Sequence, residues 1–323
     1  MDSPFHSNNL RERFENISAL SNDRIGHNNA GVLKVRDTLT NKICIEKRLL
    51  KEDIANGHAK REMDVLRQLC GHENILRLIE CELEGLSLAP NHSVTATIWT
   101  EWCNRGSLHD FVFSYVDHEQ RIPELILRHI MESLAEAVRY CQQGPVGSEK
   151  ERWNTVYHRD ITLHNVFLAD SPDPDNPPRV VLGDFGLAIT KEDIRSKKGA
   201  STENHVGIRD EGDENYMESL FEEFFAPPEF PHFHCKSDVY QIGVVMYCLM
   251  FKLIRPYDYI APLLKDKTVA SLDEDVWDQE DCYEARYSDE LLETVSGCLV
   301  ADASLRYDVD VLLNRLQNPS NST

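Results

Sequence analysis

The chain has 323 residues, with 34 Lys and Arg against 55 Asp and Glu, for a formal net charge of −21. That acidic excess argues against a nucleic-acid or anionic-membrane partner held by bulk electrostatics, because both need a basic face that displaces counterions. With 41% hydrophobic and 28% charged residues the chain has the means to bury a core, and its length suits one large domain or two lobes. Nine scattered cysteines without a CxxC pair are the usage of a reduced intracellular protein, cytoplasmic or nuclear, and the N-terminus lacks the apolar run of a signal peptide. The most apolar stretch, 239–251, has Gln241 inside it; it is too short to span a bilayer and reads as a buried helix.

In chain order, residues 1–16 read as a flexible segment. Short β-branched or aliphatic runs follow at 24–26, 32–35 and 43–45, the last two separated by the turn-like 37–41. A helix is expected over 53–69, with Met63, Leu66 and Leu69 at one face, and strands over 75–83 and 94–102 complete a small sheet. From there the pattern is mainly helical. Ile126, Ile130, Met131, Leu134, Val138 and Cys141 mark an amphipathic helix over 123–142 with Pro123 at its start, and helical patterns return at 237–251, 288–299 and 307–316. Residues 143–152 and the proline-rich 171–178 read as loops, and Ser107 as the N-cap of a helix. Charge is uneven: residues 1–102 hold 15 acidic and 13 basic side chains, which leaves net −19 for 103–323.

The chemistry-bearing signal is Tyr157-His158-Arg159-Asp160 with Asn165 five residues beyond the Asp, then Gly183-Asp184-Phe185-Gly186. Asp160, Asn165 and Asp184 are oxygen donors on tight loops beside the short strands 166–168 and 180–182. Such a set suits Mg²⁺, which prefers carboxylate and amide oxygens plus substrate phosphates to a full protein cage. Upstream, Gly26-His-Asn28-Asn-Ala-Gly31 is a glycine-bearing turn whose backbone N–H groups suit phosphates, although a plain hairpin turn is the simpler reading of it alone. Lys47 and Glu62, on a strand and the helix after it, read alone as two exposed charges.

Together these motifs resemble the eukaryotic protein kinase family, whose signature set is HRDxxxxN followed by DFG, and the likeness runs in family order from about residue 17 to 316. The resemblance implies an α+β bilobal protein-kinase-like fold: a small β-rich lobe with one main helix at 17–102, a larger mostly helical lobe at 103–316, and a flexible tail at 317–323. It implies ATP and Mg²⁺ as cofactors. Asp160 would orient and deprotonate the substrate hydroxyl, Asn165 and Asp184 would hold Mg²⁺, and Lys47, fixed by Glu62, would reach the phosphates. Gly26, Asn28, Gly31, Leu33, Ile45, Thr100, Glu101, Cys103 and Phe167 would surround the nucleotide, with Thr100 as gatekeeper. By the same resemblance Glu229 of Phe225-Ala-Pro-Pro-Glu229 pairs with Arg306, and Asp238 supports the catalytic loop.

Three departures bear on activity. Thr162 stands where Ser/Thr kinases usually carry a lysine, and loss of that cation costs typically ~10²–10³ in rate. Ile45 stands where a small residue usually roofs the adenine, and Glu46 where an apolar one is usual; a one-residue strand slip would instead put Cys44 over the adenine and Glu46 in the place of Lys47. Residues 203–223 carry eight acidic side chains and one basic, which reads either as a solvated loop or as a source of a carboxylate that pairs with Arg159 in place of a phosphate. His232-Phe-His234-Cys235 is too closely spaced for a zinc site and reads as packing. The expected function is Ser/Thr protein phosphorylation, with basic residues near the acceptor because residues 203–223 and 266–293 contribute −7 and −9. A pseudokinase serving as a nucleotide-binding or scaffold module is the alternative, and an ATPase or small-molecule kinase a weaker one.

Overall fold

Alternating burial along the strand Lys42–Arg48 fixes which side chains of the N-terminal half face which way. The computed structural model describes residues 10–20, 30–84, 95–116, 121–147, 152–197, 223–254 and 287–318. The chain divides into two compact units, Met1–Cys70 with Leu76–Trp102, and Gly71–Ile75 with Cys103–Thr323. The expected α+β architecture is observed, with a sheet in the first unit and mainly helices in the second.

The first unit holds a short helix α1 (Leu10–Arg13), strands β1 (Phe14–Ala19), β2 (Gly31–Asp37) and β3 (Lys42–Arg48), helices α2 (Lys51–Ala55) and α3 (His58–Leu69), and strands β4 (Leu78–Glu84) and β5 (Thr95–Glu101). The strands form one antiparallel sheet in the order β1-β2-β3-β5-β4. The helix expected over 53–69 is broken, because Gly57 takes φ 80 between α2 and α3, a conformation that only glycine adopts without strain.

Residues 10–16, expected to belong to a flexible segment, are instead helix and strand. Phe14 is buried and stacks on Trp99 with ring centroids 4.7 Å apart, in a cluster with Val35 and Cys44 to which Leu10, Leu33 and Ile79 add. Arg13 makes two parallel bonds to the buried Asp37 carboxylate, at 2.8 and 2.9 Å. These hold the Asp37 carboxyl well below the usual carboxylate range, against the opposing effect of burial. A depressed carboxyl pKa stabilises the fold above about pH 4 and ceases to do so as pH falls through the folded value. Arg13→Ala is therefore expected to lose roughly 2 kcal/mol near neutrality and to show a shallower further loss on acidification than the wild type. Thermal unfolding between about pH 6 and pH 3 checks this, and parallel pH curves for the two proteins would refute it.

The second unit contains α4 (Leu108–Val116), α5 (Glu124–Gln143), the paired strands β6 (Val156–Tyr157) and β9 (Ile189–Thr190), the hairpin β7 (Val166–Ala169) and β8 (Arg179–Leu182), then α6 (Lys191–Lys197), α7 (Cys235–Phe251), α8 (Asp289–Cys298) and α9 (Val309–Gln317). Ser107 caps α4 as expected: its hydroxyl accepts from the Asp110 N–H at 3.2 Å, and Asp110 accepts from the Ser107 N–H in return. The apolar face of α5 is buried from Leu127 to Cys141, and α7 is buried along almost its whole length. Where α8 ends, a Cβ on Gly297 would lie 2.0 Å from the Tyr307 ring, so glycine is needed for that close approach. No helix among the described residues is long and apolar enough to cross a membrane.

Candidate active site

In the first unit, antiparallel partners share a face, so the register assigns each candidate side chain. Cys44 and Glu46 lie opposite Val35 and Leu33, on the face of the Phe14 cluster. Ile45 and Lys47 lie opposite Lys34 and Val32 on one side and Thr100 and Ile98 on the other. Lys47 Nζ meets the Glu62 carboxylate of α3 at 2.8 Å, and Glu62 is buried. The slipped alternative is therefore not the one adopted: Cys44 is fully buried on the opposite face. Glu46, unexpected in an apolar position, is satisfied there by the Trp99 indole N–H at 3.2 Å and by Arg48 at 2.8 Å.

One candidate changes position. Leu33, expected over the nucleotide, packs into the Phe14 cluster, and Val32 shares the face of Lys47. The β2-β3 register, closed by the turn 38–41, decides this; counting from Gly31 does not reveal it. Gly31 itself has φ 143. Gly26 and Asn28 lie outside the described residues. Thr100 is buried on β5, and Glu101 is tied to Arg77 through its backbone N–H at 3.0 Å and its carboxylate, which accepts the Arg77 N–H at 3.0 Å. Lys34 reaches over the Trp102 ring, 4.6 Å from its centroid.

In the second unit, the loop between β6 and β7 is assembled by buried hydrogen bonds. Both carboxylate oxygens of Asp238, on α7, accept from it: His158 N–H at 3.1 Å and Arg159 N–H at 2.9 Å. Burial pushes the Asp238 carboxyl up to about 6, against these two bonds. His158 is fully buried, and burial pushes its pKa down to about 4. It is therefore neutral near pH 7. Its Nδ1 accepts from the Asp160 N–H at 3.2 Å, so the proton sits on Nε2 and is donated to the Gly183 carbonyl at 3.1 Å. Phe185 stands 4.6 Å from the His158 ring, itself fully buried.

Asn165 ties the candidate base to the candidate metal ligands. Its amide nitrogen donates to the Asp160 carbonyl at 2.9 Å and to the Asp160 carboxylate at 2.7 Å, while its backbone carbonyl accepts from Gly183 N–H at 2.8 Å, one residue before Asp184. With its amide nitrogen bonded to Asp160, the amide oxygen is the donor Asn165 has to offer a cation. That oxygen and the Asp184 carboxylate are the hard donors Mg²⁺ takes alongside phosphates, so the residues present fit this ion. Asp184 itself has φ 56 and accepts from Gly186 N–H at 3.3 Å. Phe167 lies on β7, paired with Val181 and bridged to Ser107.

Arg159 points inward. It is buried, its Nε donates to the Leu187 carbonyl at 2.7 Å, and its guanidinium lies 5.9 Å from the Phe233 ring centre. Most of the acidic segment expected to offer it a carboxylate, residues 203–222, lies outside the described residues, as do residues 266–286 of the other acidic segment. Thr162 is also buried, and it places no cation at that position. His234 caps α7 by accepting from Lys236 N–H at 3.1 Å, with Nε2 3.4 Å from the Glu229 carboxylate. Glu229 and Arg306 form a two-point pair at 2.7 and 2.8 Å. Gln241 was the polar residue inside an otherwise apolar helix pattern; it proves to be wholly buried beneath the loop.

The protein kinase domain family model matches residues 21–316. The chain is 27% identical to NUAK family SNF1-like kinase 2 of Homo sapiens over 186 residues, 57% of this chain and 24% of that protein. It is 24% identical to the G2-specific protein kinase fin1 of Schizosaccharomyces pombe over 257 residues, 76% of this chain and 30% of that protein. Over 130 residues it is 32% identical to the serine/threonine-protein kinase Nek1 of Toxoplasma gondii, covering 39% of this chain and 7% of that protein. The chain thus spans less than a third of the length of each of these relatives.

Proposed function

The chain belongs to the protein kinase family, and from that premise we propose that it transfers the γ-phosphoryl group of ATP to serine or threonine hydroxyls of proteins, in the cytoplasm or nucleus. The observation that carries this reading is the Asp160-Asn165-Gly183 network, in which the Asn165 side-chain amide holds the candidate base and its backbone carbonyl holds the residue before Asp184. Asn165 and Asp184 would hold Mg²⁺, which when bound neutralises the charge of the phosphates. Lys47, its ammonium fixed by Glu62, orients the α and β phosphates, and Asp160 accepts the proton of the attacking hydroxyl. Val32 and Ile45 share the face of Lys47 and pack against the base of the nucleotide. Serine or threonine is preferred because Nek1 carries that specificity in its name. Acidic residues at 203–223 and 266–293 favour substrates with Lys or Arg near the acceptor.

The buried Thr162 favours a second reading, a nucleotide-binding scaffold with little transfer. A paired assay on the purified protein separates the two: thermal shift with ATP and Mg²⁺, and transfer to basic and acidic peptide mixtures, each repeated with Asp184→Asn. The kinase reading expects a shift and transfer to the basic mixture, both lost in Asp184→Asn, with peptide turnover falling as salt rises. A shift without transfer selects the scaffold. Neither shift nor transfer rejects both.

A further inference from the structure

Asp160 stands between two peptide groups, and one side chain grips both. Gln241 lies on α7, three residues after Asp238, and has no exposed surface. Its Nε2 donates to the Arg159 carbonyl at 2.9 Å, and its Oε1 accepts from the Ile161 N–H at 3.1 Å. The first is the carbonyl of the peptide that leads into Asp160, and the second is the N–H of the peptide that leads out of it. The amide therefore closes a ring around the Asp160 Cα. Nε2 also lies 3.4 Å from the Phe225 carbonyl, in the turn Glu223–Phe225 that precedes Glu229.

The backbone held in this way is strained. Arg159 has φ 69, a left-handed conformation that a residue with a Cβ keeps only when its surroundings over-determine it. Asp238 fixes the N–H groups of His158 and Arg159, and Gln241 fixes the Arg159 carbonyl and the Ile161 N–H. A neutral amide is suited to this place because it offers one donor and one acceptor at the same end. A carboxylate would set an acceptor against the Arg159 carbonyl, and an apolar side chain would leave two buried backbone groups unsatisfied.

We infer that Gln241 is a positioning residue: it fixes the main chain on both sides of Asp160 and links it to the end of the segment that carries Glu229. This rests on the reading of Asp160 as the base, so the test has two independent readouts. The first is hydrogen exchange of single backbone amides in Gln241→Met. Ile161 N–H is expected to exchange about tenfold faster, while His158 and Arg159 N–H, held by Asp238, change by less than about twofold. The second is steady-state kinetics. The turnover number is expected to fall by about tenfold or more in Gln241→Met, with the KM for ATP within about twofold of wild type.

Gln241→Glu adds a pH readout. Its buried carboxyl is protonated more readily than usual, and the protonated form restores a donor to the Arg159 carbonyl. Turnover should therefore recover as pH falls, relative to the wild-type pH profile. Unchanged exchange at Ile161, or equal acceleration at all the amides of 158–161, overturns the inference. If Gln241→Met does not fold, Gln241→Glu carries both readouts. If wild-type protein transfers no phosphate, the kinase reading fails, and exchange alone decides the clamp.

Discussion

Asp160→Asn is expected to lower phosphoryl transfer by about 10²–10⁴-fold, the usual worth of a positioned general base. The substitution keeps an oxygen for the Asn165 amide, which now reaches the Asp160 carboxylate at 2.7 Å, and keeps the backbone bonds of the loop. Its N–H still meets His158 Nδ1. Thermal stability should therefore stay within about 1 kcal/mol of wild type, and so should the thermal shift with ATP and Mg²⁺, since Asn165 and Asp184 are untouched. The loss belongs to turnover. Transfer retained above about a tenth of the wild-type rate would remove Asp160 from the base role. Loss of the ATP shift together with activity would assign the residue to binding.

Arg306→Ala is expected to have the largest effect on stability. Arg306 has no exposed side-chain surface; its two terminal nitrogens bond both oxygens of Glu229, its Nε donates to the Val300 carbonyl at 2.8 Å, and its guanidinium lies 4.9 Å from the Tyr240 ring centre. Burial alone raises the Glu229 carboxyl, and Arg306 with Ser237 pulls it below its ordinary value. Removing Arg306 leaves a largely buried carboxylate whose main counter-charge is gone. Breaking such a pair costs about 3–5 kcal/mol, which should appear as a fall in melting temperature of roughly 10 °C. Arg306→Lys recovers only part, because a point charge does not reproduce the two-point fork. A melting temperature within about 2 °C of wild type for Arg306→Ala would show that the pair does not hold this part of the fold.

The second unit was legible in the sequence because its signals are local. Asp160, Asn165 and Asp184 sit at fixed spacings on short loops, and α5, α8 and α9 carry helical apolar periods. The first unit was harder to read. Strand β1 has the burial pattern of one buried residue followed by five exposed ones, so no alternation announces it; Phe14 is its anchor, and the partner Trp99 is 85 residues away. Leu33 was misplaced because facing on β2 depends on its pairing with β3, and a single residue of register reverses the face. The break at Gly57 was visible as an Asn-Gly pair inside a helical pattern, a signal outweighed by the regular apolar spacing on both sides. Gln241 had only its polarity to mark it, and only the packed helix reveals that both ends of its amide are engaged.

Strand β1 ends at Ala19, before the region matched by the family model begins at residue 21. A protein cut to that match would lose the outermost strand and leave β2 as the border of the sheet, with a row of backbone N–H and C=O groups from Leu33 to Asp37 open to any passing chain. The ring of Trp99 and the side chains of Val35 and Cys44 would be uncovered beside it. Such a border invites strand addition by a neighbouring copy. Residues 10–20 thus cover the β2 edge and the apolar cluster beside it, and the sheet begins ahead of the matched region.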